Sequence, residues 1–168
     1  MHYLETLNAY VDVYRNDEFS GDYSSYDAII LSPGPGLPKN AGSMMQLLKD
    51  IEGKIPVLGI CLGMQAIAEH FGGELYNQEV VKHGMQENII LGQSKLFNGL
   101  SEKIKVGLYH SWAVKEGRGE FIITAHSENH TVMAIENEAK KMYGVQFHPE
   151  SILTPIGMEV VNNFLEIV

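Results

Sequence analysis

The apolar run Val57-Leu58-Gly59-Ile60 ends on Cys61, and the chain then continues with apolar residues at helical spacing, Met64, Ile67, Ala68 and Phe71. Glycine stands two positions before the cysteine and two after it, at Gly59 and Gly63. A buried strand that turns at once into a helix around such a residue is the cysteine form of a nucleophile elbow. The turn forces its central residue into a strained backbone conformation, and only glycine lets neighbouring backbone pass that close. It lifts the sulfur above the sheet and aims the first helical N–H groups at whatever the sulfur attacks, and the helix dipole favours thiolate. Taken alone, the same segment also fits a buried structural cysteine, the commonest fate of a lone thiol.

An elbow needs a sheet to stand on. Ala28-Ile29-Ile30-Leu31 is a second short continuous apolar run, as buried parallel strands require. Between the two runs, Met44, Leu47, Leu48 and Ile51 fall on one helical face. The helix after Cys61 should stop at Gly72-Gly73. Tyr10-Val11-Asp12-Val13-Tyr14 alternates like a strand. From Val80 to Val145 the signals are mostly strands: Ile89 to Leu91, Val106 to Tyr109, Phe121 to Ile123, Val132 to Ile135 and Tyr143 to Val145. Met158, Val161, Phe164, Leu165 and Val168 suggest a closing helix. The pattern implies an α/β fold, an open mixed, mostly parallel sheet flanked by helices. With no linker, repeat or low-complexity stretch, residues 1–168 read as a single domain.

Composition narrows the partners. Twelve basic and 21 acidic side chains leave a formal net charge of −9, which repels phosphate backbones and argues against nucleic acid. No apolar run approaches the ~20 residues of a bilayer span, and no secretory signal opens the sequence. The single cysteine cannot form an internal disulfide, which fits a reducing cytoplasm.

A thiol nucleophile needs a base and something to orient it. His148 comes directly off an expected strand in Gly144-Val145-Gln146-Phe147-His148-Pro149-Glu150-Ser151. Residues two apart in an extended segment point the same way, so Glu150 can hold the imidazole tautomer. His-x-Glu by itself also fits a solvated loop histidine beside an acid. Ser32-Pro33-Gly34-Pro35-Gly36 makes a rigid turn after the Ala28–Leu31 run, where open α/β sheets place their ligands. Its backbone N–H groups could complete an oxyanion hole, or it is a plain strand-to-helix loop. It has no phosphate-loop pattern. Metal binding is not expected: there is no His-Glu-x-x-His, no second cysteine, and His126 and His130 straddle a turn.

Together these segments resemble the class I (triad) glutamine amidotransferases. Ser32 to Gly36, Gly59 to Gln65, Tyr109-His110-Ser111-Trp112 and Gly144 to Ser151 occur in that family's order. The stretch Gly144 to Thr154, with Val81-Lys82-His83-Gly84 and Ser127-Glu128-Asn129, is similar to the small subunits of anthranilate synthase and aminodeoxychorismate synthase. The family often has histidine where Met64 stands and a basic residue where Met85 stands. The resemblance implies a flavodoxin-like sheet with Cys61 as nucleophile, His148 as general base and acid, and Glu150 as orienter. It implies oxyanion donors at Gly36 and Leu62, and L-glutamine bound by Gly34, Pro35, Gly36, Gln65, Ser111 and Trp112. His83 and His110 are expected to be interface or structural residues. No cofactor is expected in this chain; a separate large subunit would bind chorismate and Mg2+ and receive the ammonia. The tryptophan and folate branches both remain open, with anthranilate synthase preferred. A cysteine hydrolase of peptidase or glyoxalase type would share the elbow but would not need Gln-Phe-His-Pro-Glu-Ser.

Family members begin with an apolar strand and a loop that starts the first helix, and Met1 to Leu7 looks like the end of that helix. The sequence therefore reads as N-terminally shortened. The absent strand would belong between Tyr10–Tyr14 and Ala28–Leu31, and its loss should lower stability.

Overall fold

The structure is a computed structural model, and it describes residues 1–18 and 22–168. Its helices are α1 (His2–Thr6), α2 (Met44–Ile51), α3 (Leu62–His70) and α4 (Gly157–Ile167). Its strands are β1 (Ile29–Leu31), β2 (Val57–Ile60), β3 (Leu75–Leu91), β4 (Lys103–Val114), β5 (Ile122–Ser127), β6 (Val132–Asn137) and β7 (Met142–Val145). The strands form one seven-stranded sheet in the order β1-β2-β7-β6-β5-β3-β4. Among the described residues no helix is long and apolar enough to cross a membrane.

The expected α/β fold with a mixed sheet flanked by helices is present. The sheet is not mostly parallel as expected: the parallel part is confined to β1–β2–β7, and the other four pairings are antiparallel, because the strands from β3 to β6 are joined without crossover helices. Leu48, Ile51, Met64 and Ile67 from α2 and α3 pack one face of the sheet, together with Val57 and Met142. Val160 and Phe164 of α4 pack the other face, against Leu58, Tyr143 and Val145. Successive strand residues thus serve opposite layers, which is why β2 and β7 read as unbroken apolar runs rather than as alternation.

One strand expectation needs correction. Tyr10–Tyr14 is not a strand: it lies outside every ladder, with Tyr10 96% exposed. Alternation gives a strand only where a second backbone is in register to pair with it, and among the described residues β1 has β2 as its sole strand neighbour. Side chains hold the segment instead. Tyr26 Oη donates to Asp12 Oδ2 at 2.9 Å, and Tyr14 Oη lies 2.7 Å from Tyr26 Oη. In addition, β3 runs unbroken for 17 residues, although its middle is polar and carries Gly84. Its pairing with β4 absorbs two irregularities, between Asn77 and Lys82 and between His83 and Met85. Bulges of this kind erase the period-2 pattern on which a strand assignment rests.

Register decides where the site lies. Leu31 pairs with Gly59, and Gly59 with Gly144. The three parallel strands therefore end level, and the segments that follow them, from Ser32, Cys61 and Gln146, leave the sheet at one edge. That is the carboxyl edge, where open α/β sheets bind ligands.

Candidate active site

Cys61 occupies the turn between β2 and α3 with φ 52° and ψ −102°, a conformation a non-glycine residue adopts only under constraint. The constraint is visible on both sides. Cys61 N–H donates to the Val145 carbonyl at 2.8 Å, which pins the turn to β7. A Cβ on Gly59 would come within 2.4 Å of the Gly63 carbonyl carbon, and one on Gly63 within 2.3 Å of the Leu31 carbonyl oxygen. Glycine at both positions is thus what lets strand, turn and helix overlap. Cys61 is 7% exposed at the amino end of α3, where the first N–H groups have no intrahelical partner.

His148 follows β7 by three residues. Its N–H donates to the Gly107 carbonyl at 3.1 Å. The Thr154 hydroxyl donates to the His148 carbonyl at 2.7 Å while accepting the Gly107 N–H at 2.9 Å. One hydroxyl therefore ties the histidine backbone to β4. The Tyr109 ring lies 4.9 Å from the imidazole, centroid to centroid, and Tyr109 Oη is 3.1 Å from Ser151 Oγ.

Glu150 Oε1 is 2.7 Å from His148 Nδ1. A carboxylate only accepts, so Nδ1 carries the proton and Nε2 is left for the site. Nε2 is buried and makes no hydrogen bond of normal geometry, yet the sulfur is near enough to act on the ring's charge. Burial works to lower the imidazole pKa. Interaction with Cys61 and then Glu150 outweighs it, and the ring is pushed up to about 9. Burial likewise works to raise Glu150, but the His148 ring and its own backbone N–H hold it below the usual carboxylate value. Each group is thus stabilised in its charged form by the other.

The Ser32–Gly36 loop adjoins the elbow: a Cβ on Gly34 would lie 2.9 Å from Leu62 Cδ2. Gly34, Pro35 and Gly36 are exposed, and Gly36 has φ +81°. Gln65, one turn after Cys61 on α3, is buried, and its Nε2 donates to the Trp112 carbonyl at 2.9 Å. Trp112 and Ser111 are half-buried on β4, the strand at the opposite edge of the sheet from β1. The sheet therefore curls far enough to bring β4 to the elbow helix. His110 is buried, and its Nδ1 lies 2.9 Å from the same Trp112 carbonyl. Burial pushes its pKa below the ordinary imidazole value, against the pull of that carbonyl, so His110 is neutral with its proton on Nδ1. His83 packs edge-on to Tyr109 at 5.5 Å. Among the described residues no group of three His, Cys, Asp or Glu side chains converges as a metal site.

Sequence reasoning missed Gln146. Its side chain is fully buried; its Nε2 donates to Cys61 Sγ at 3.4 Å, and its Oε1 accepts from Gln65 Nε2 at 3.0 Å. The signal was available. Gln146 stands two residues before His148, as Glu150 stands two after, so the extended-chain rule that selects Glu150 also selects Gln146.

The arrangement can present a buried sulfur, a charged imidazole and free helical N–H groups to one small polar molecule. The profile of the family "Glutamine amidotransferase class-I" matches residues 1–168. The chain is 42% identical to anthranilate synthase component 2 of Lactococcus lactis, over 98% of this chain and 86% of the relative. It is 38% identical to aminodeoxychorismate/anthranilate synthase component 2 of Bacillus subtilis, over 99% of this chain and 88% of the relative. A crystal structure from Thermoplasma acidophilum, described as a GMP synthase subunit, superposes with a TM-score of 0.88 at 27% identity. That superposition covers 99% of this chain and 84% of that one. The chain belongs to the class-I glutamine amidotransferase family.

Proposed function

We propose that residues 1–168 form one glutaminase domain that hydrolyses L-glutamine through Cys61, His148 and Glu150. The ammonia passes to a separate chorismate-binding large subunit, as in component II of anthranilate synthase, working in the cytoplasm. The observation that carries this reading is a strained cysteine at a helix amino terminus whose sulfur raises the pKa of a carboxylate-held histidine.

In this reading the Cys61 sulfur attacks the side-chain amide carbon of glutamine, forming a C–S bond. Backbone N–H groups of Gly36 and Leu62 hold the oxygen that gains negative charge. His148 donates its Nε2 proton to the amide nitrogen as the C–N bond breaks, and ammonia leaves. The ring, now neutral, accepts a proton from water as water attacks the glutamyl thioester. Glutamate departs, and the sulfur is restored beside a protonated ring. A ring pKa of about 9 keeps the first proton in place at neutral pH. Gly34, Pro35 and Gly36 supply the wall on one side of glutamine, and Gln65, Ser111 and Trp112 that on the other.

The Bacillus subtilis relative, whose name includes both aminodeoxychorismate and anthranilate synthase, favours a second reading in which one small subunit serves the folate branch as well. The Cys61→Ser variant tests the division of labour. Glutamine-dependent synthesis by the assembled enzyme should vanish, while synthesis from ammonium salts survives in the large subunit, because a neutral hydroxyl is a far poorer nucleophile than thiolate. Loss of both activities in a folded complex would overturn the reading. Product analysis with each large subunit separates the two branches.

A further inference from the structure

We propose that Gln146 is a catalytic residue of this site: its side-chain N–H group holds the Cys61 sulfur as an anion, in an orientation imposed by Gln65 and the Trp112 carbonyl. This rests on Cys61 being the nucleophile.

Hydrogen-bond polarity fixes how the Gln146 amide is turned. The Trp112 carbonyl can only accept, and it meets Gln65 at 2.9 Å, so the Gln65 atom there is the NH2 group. That same nitrogen meets Gln146 at 3.0 Å, where the partner must accept, so the Gln146 atom is its carbonyl oxygen. The Gln146 NH2 group is then left on the other side, 3.4 Å from Cys61 Sγ. A flipped Gln146 would set NH2 against NH2 and carbonyl oxygen against sulfur, losing both bonds at once. Amide orientation is usually ambiguous, but here a backbone carbonyl fixes it through two links. The carbonyl is itself fixed, because neutral His110 donates to it from Nδ1 at 2.9 Å.

A donor aimed at sulfur acts selectively. A thiol or thioester sulfur is a weak acceptor, whereas a thiolate accepts a charge-assisted bond of about twice the strength. The Gln146 bond therefore stabilises the attacking sulfur, weakens on acylation and returns as the thiolate leaves. Gln146 is completely buried and Cys61 nearly so, which excludes competing water and strengthens the bond.

The test uses the full chain and its single cysteine, so alkylation by iodoacetamide reports on Cys61 alone. Its rate is followed against pH in the parent, in Gln146→Met, which matches the side chain in length but lacks the donor, and in Gln65→Met. In Gln146→Met the midpoint of the profile should rise by about one pH unit, and kcat for glutamine should fall roughly tenfold near neutral pH. In Gln65→Met, which touches no sulfur, the midpoint should rise by a smaller amount. Should Gln146→Met not fold, Gln146→Glu replaces the donor with an acceptor and should also raise the midpoint. An unchanged midpoint in a folded Gln146 variant overturns the proposal, and an unchanged midpoint in Gln65→Met overturns the role of the relay. A parent without glutaminase activity would instead overturn the reading of Cys61 itself.

Discussion

Gly63 is where stability and chemistry meet most directly. A Cβ there would lie 2.3 Å from the Leu31 carbonyl oxygen and 2.8 Å from Leu31 Cβ, whereas ordinary contact begins at 3.4 Å. Helix α3 and the end of β1 must therefore separate by about 1 Å in a Gly63→Ala variant, and the obstructing atom is backbone, not the far end of a side chain. Overpacking of this kind costs about 1–3 kcal/mol, and a backbone clash belongs near the upper end. For a chain of this size that is a fall in Tm of roughly 6–12 °C. The displacement also falls between the two halves of the site. Gly63 is two residues after Cys61, and Leu31 directly precedes the loop carrying Gly36. A misplacement of about 1 Å between nucleophile and oxyanion donors should cost on the order of 10²-fold in kcat. Calorimetry and glutamate release measured on the same preparation check both numbers. A folded variant with a lower Tm but unchanged kcat would show that the β1 loop has no part in the chemistry. An unchanged Tm would show that α3 and β1 are not locked as described.

The other expectations concern the histidine. Glu150→Gln should leave measurable glutaminase activity while His148→Ala leaves almost none, since the carboxylate orients the ring that carries the proton; equal, complete losses in two folded variants would give Glu150 another role. The His148 pKa is raised from the ordinary 6.5 to about 9, so its stabilising contribution is full below pH 6.5 and is lost as pH rises through 9. The Tm difference between the parent and His148→Gln should accordingly shrink between pH 6 and pH 9.5 in thermal scans, and a constant difference would contradict the coupling. Thr154→Val removes the hydroxyl joining His148 to Gly107 and should lower Tm by a few degrees, since it leaves the buried Gly107 N–H unpaired while the His148 carbonyl keeps only the Ser151 N–H, with kcat falling more than KM rises.

Short-range order was open to sequence reasoning. The strand–turn–helix around Cys61, the helix from Met44 to Ile51 and the His148–Glu150 pair all depend on residues within about ten positions of one another. There, spacing and steric limits suffice: glycine two positions either side of a cysteine, apolar residues three and four apart, and a carboxylate two beyond an imidazole. Tyr10–Tyr14 shows the limit of that reasoning, because its alternation is real but a strand needs a partner that no local pattern supplies. Three things were decided only in three dimensions. Parallel register sets Leu31, Gly59 and Gly144 level, so three distant loops open at one edge. The curl of the sheet carries Trp112, on its far edge, to Gln65 on the elbow helix. Burial, the approach of the sulfur and the Glu150 carboxylate then set the His148 pKa, the pull of Cys61 and Glu150 together outweighing the burial. Each depends on backbone or charge far apart along the chain. Such pairings are selected by the packing of the whole core, which is why the Gln65–Gln146–Cys61 hydrogen bonds emerge only from the folded molecule.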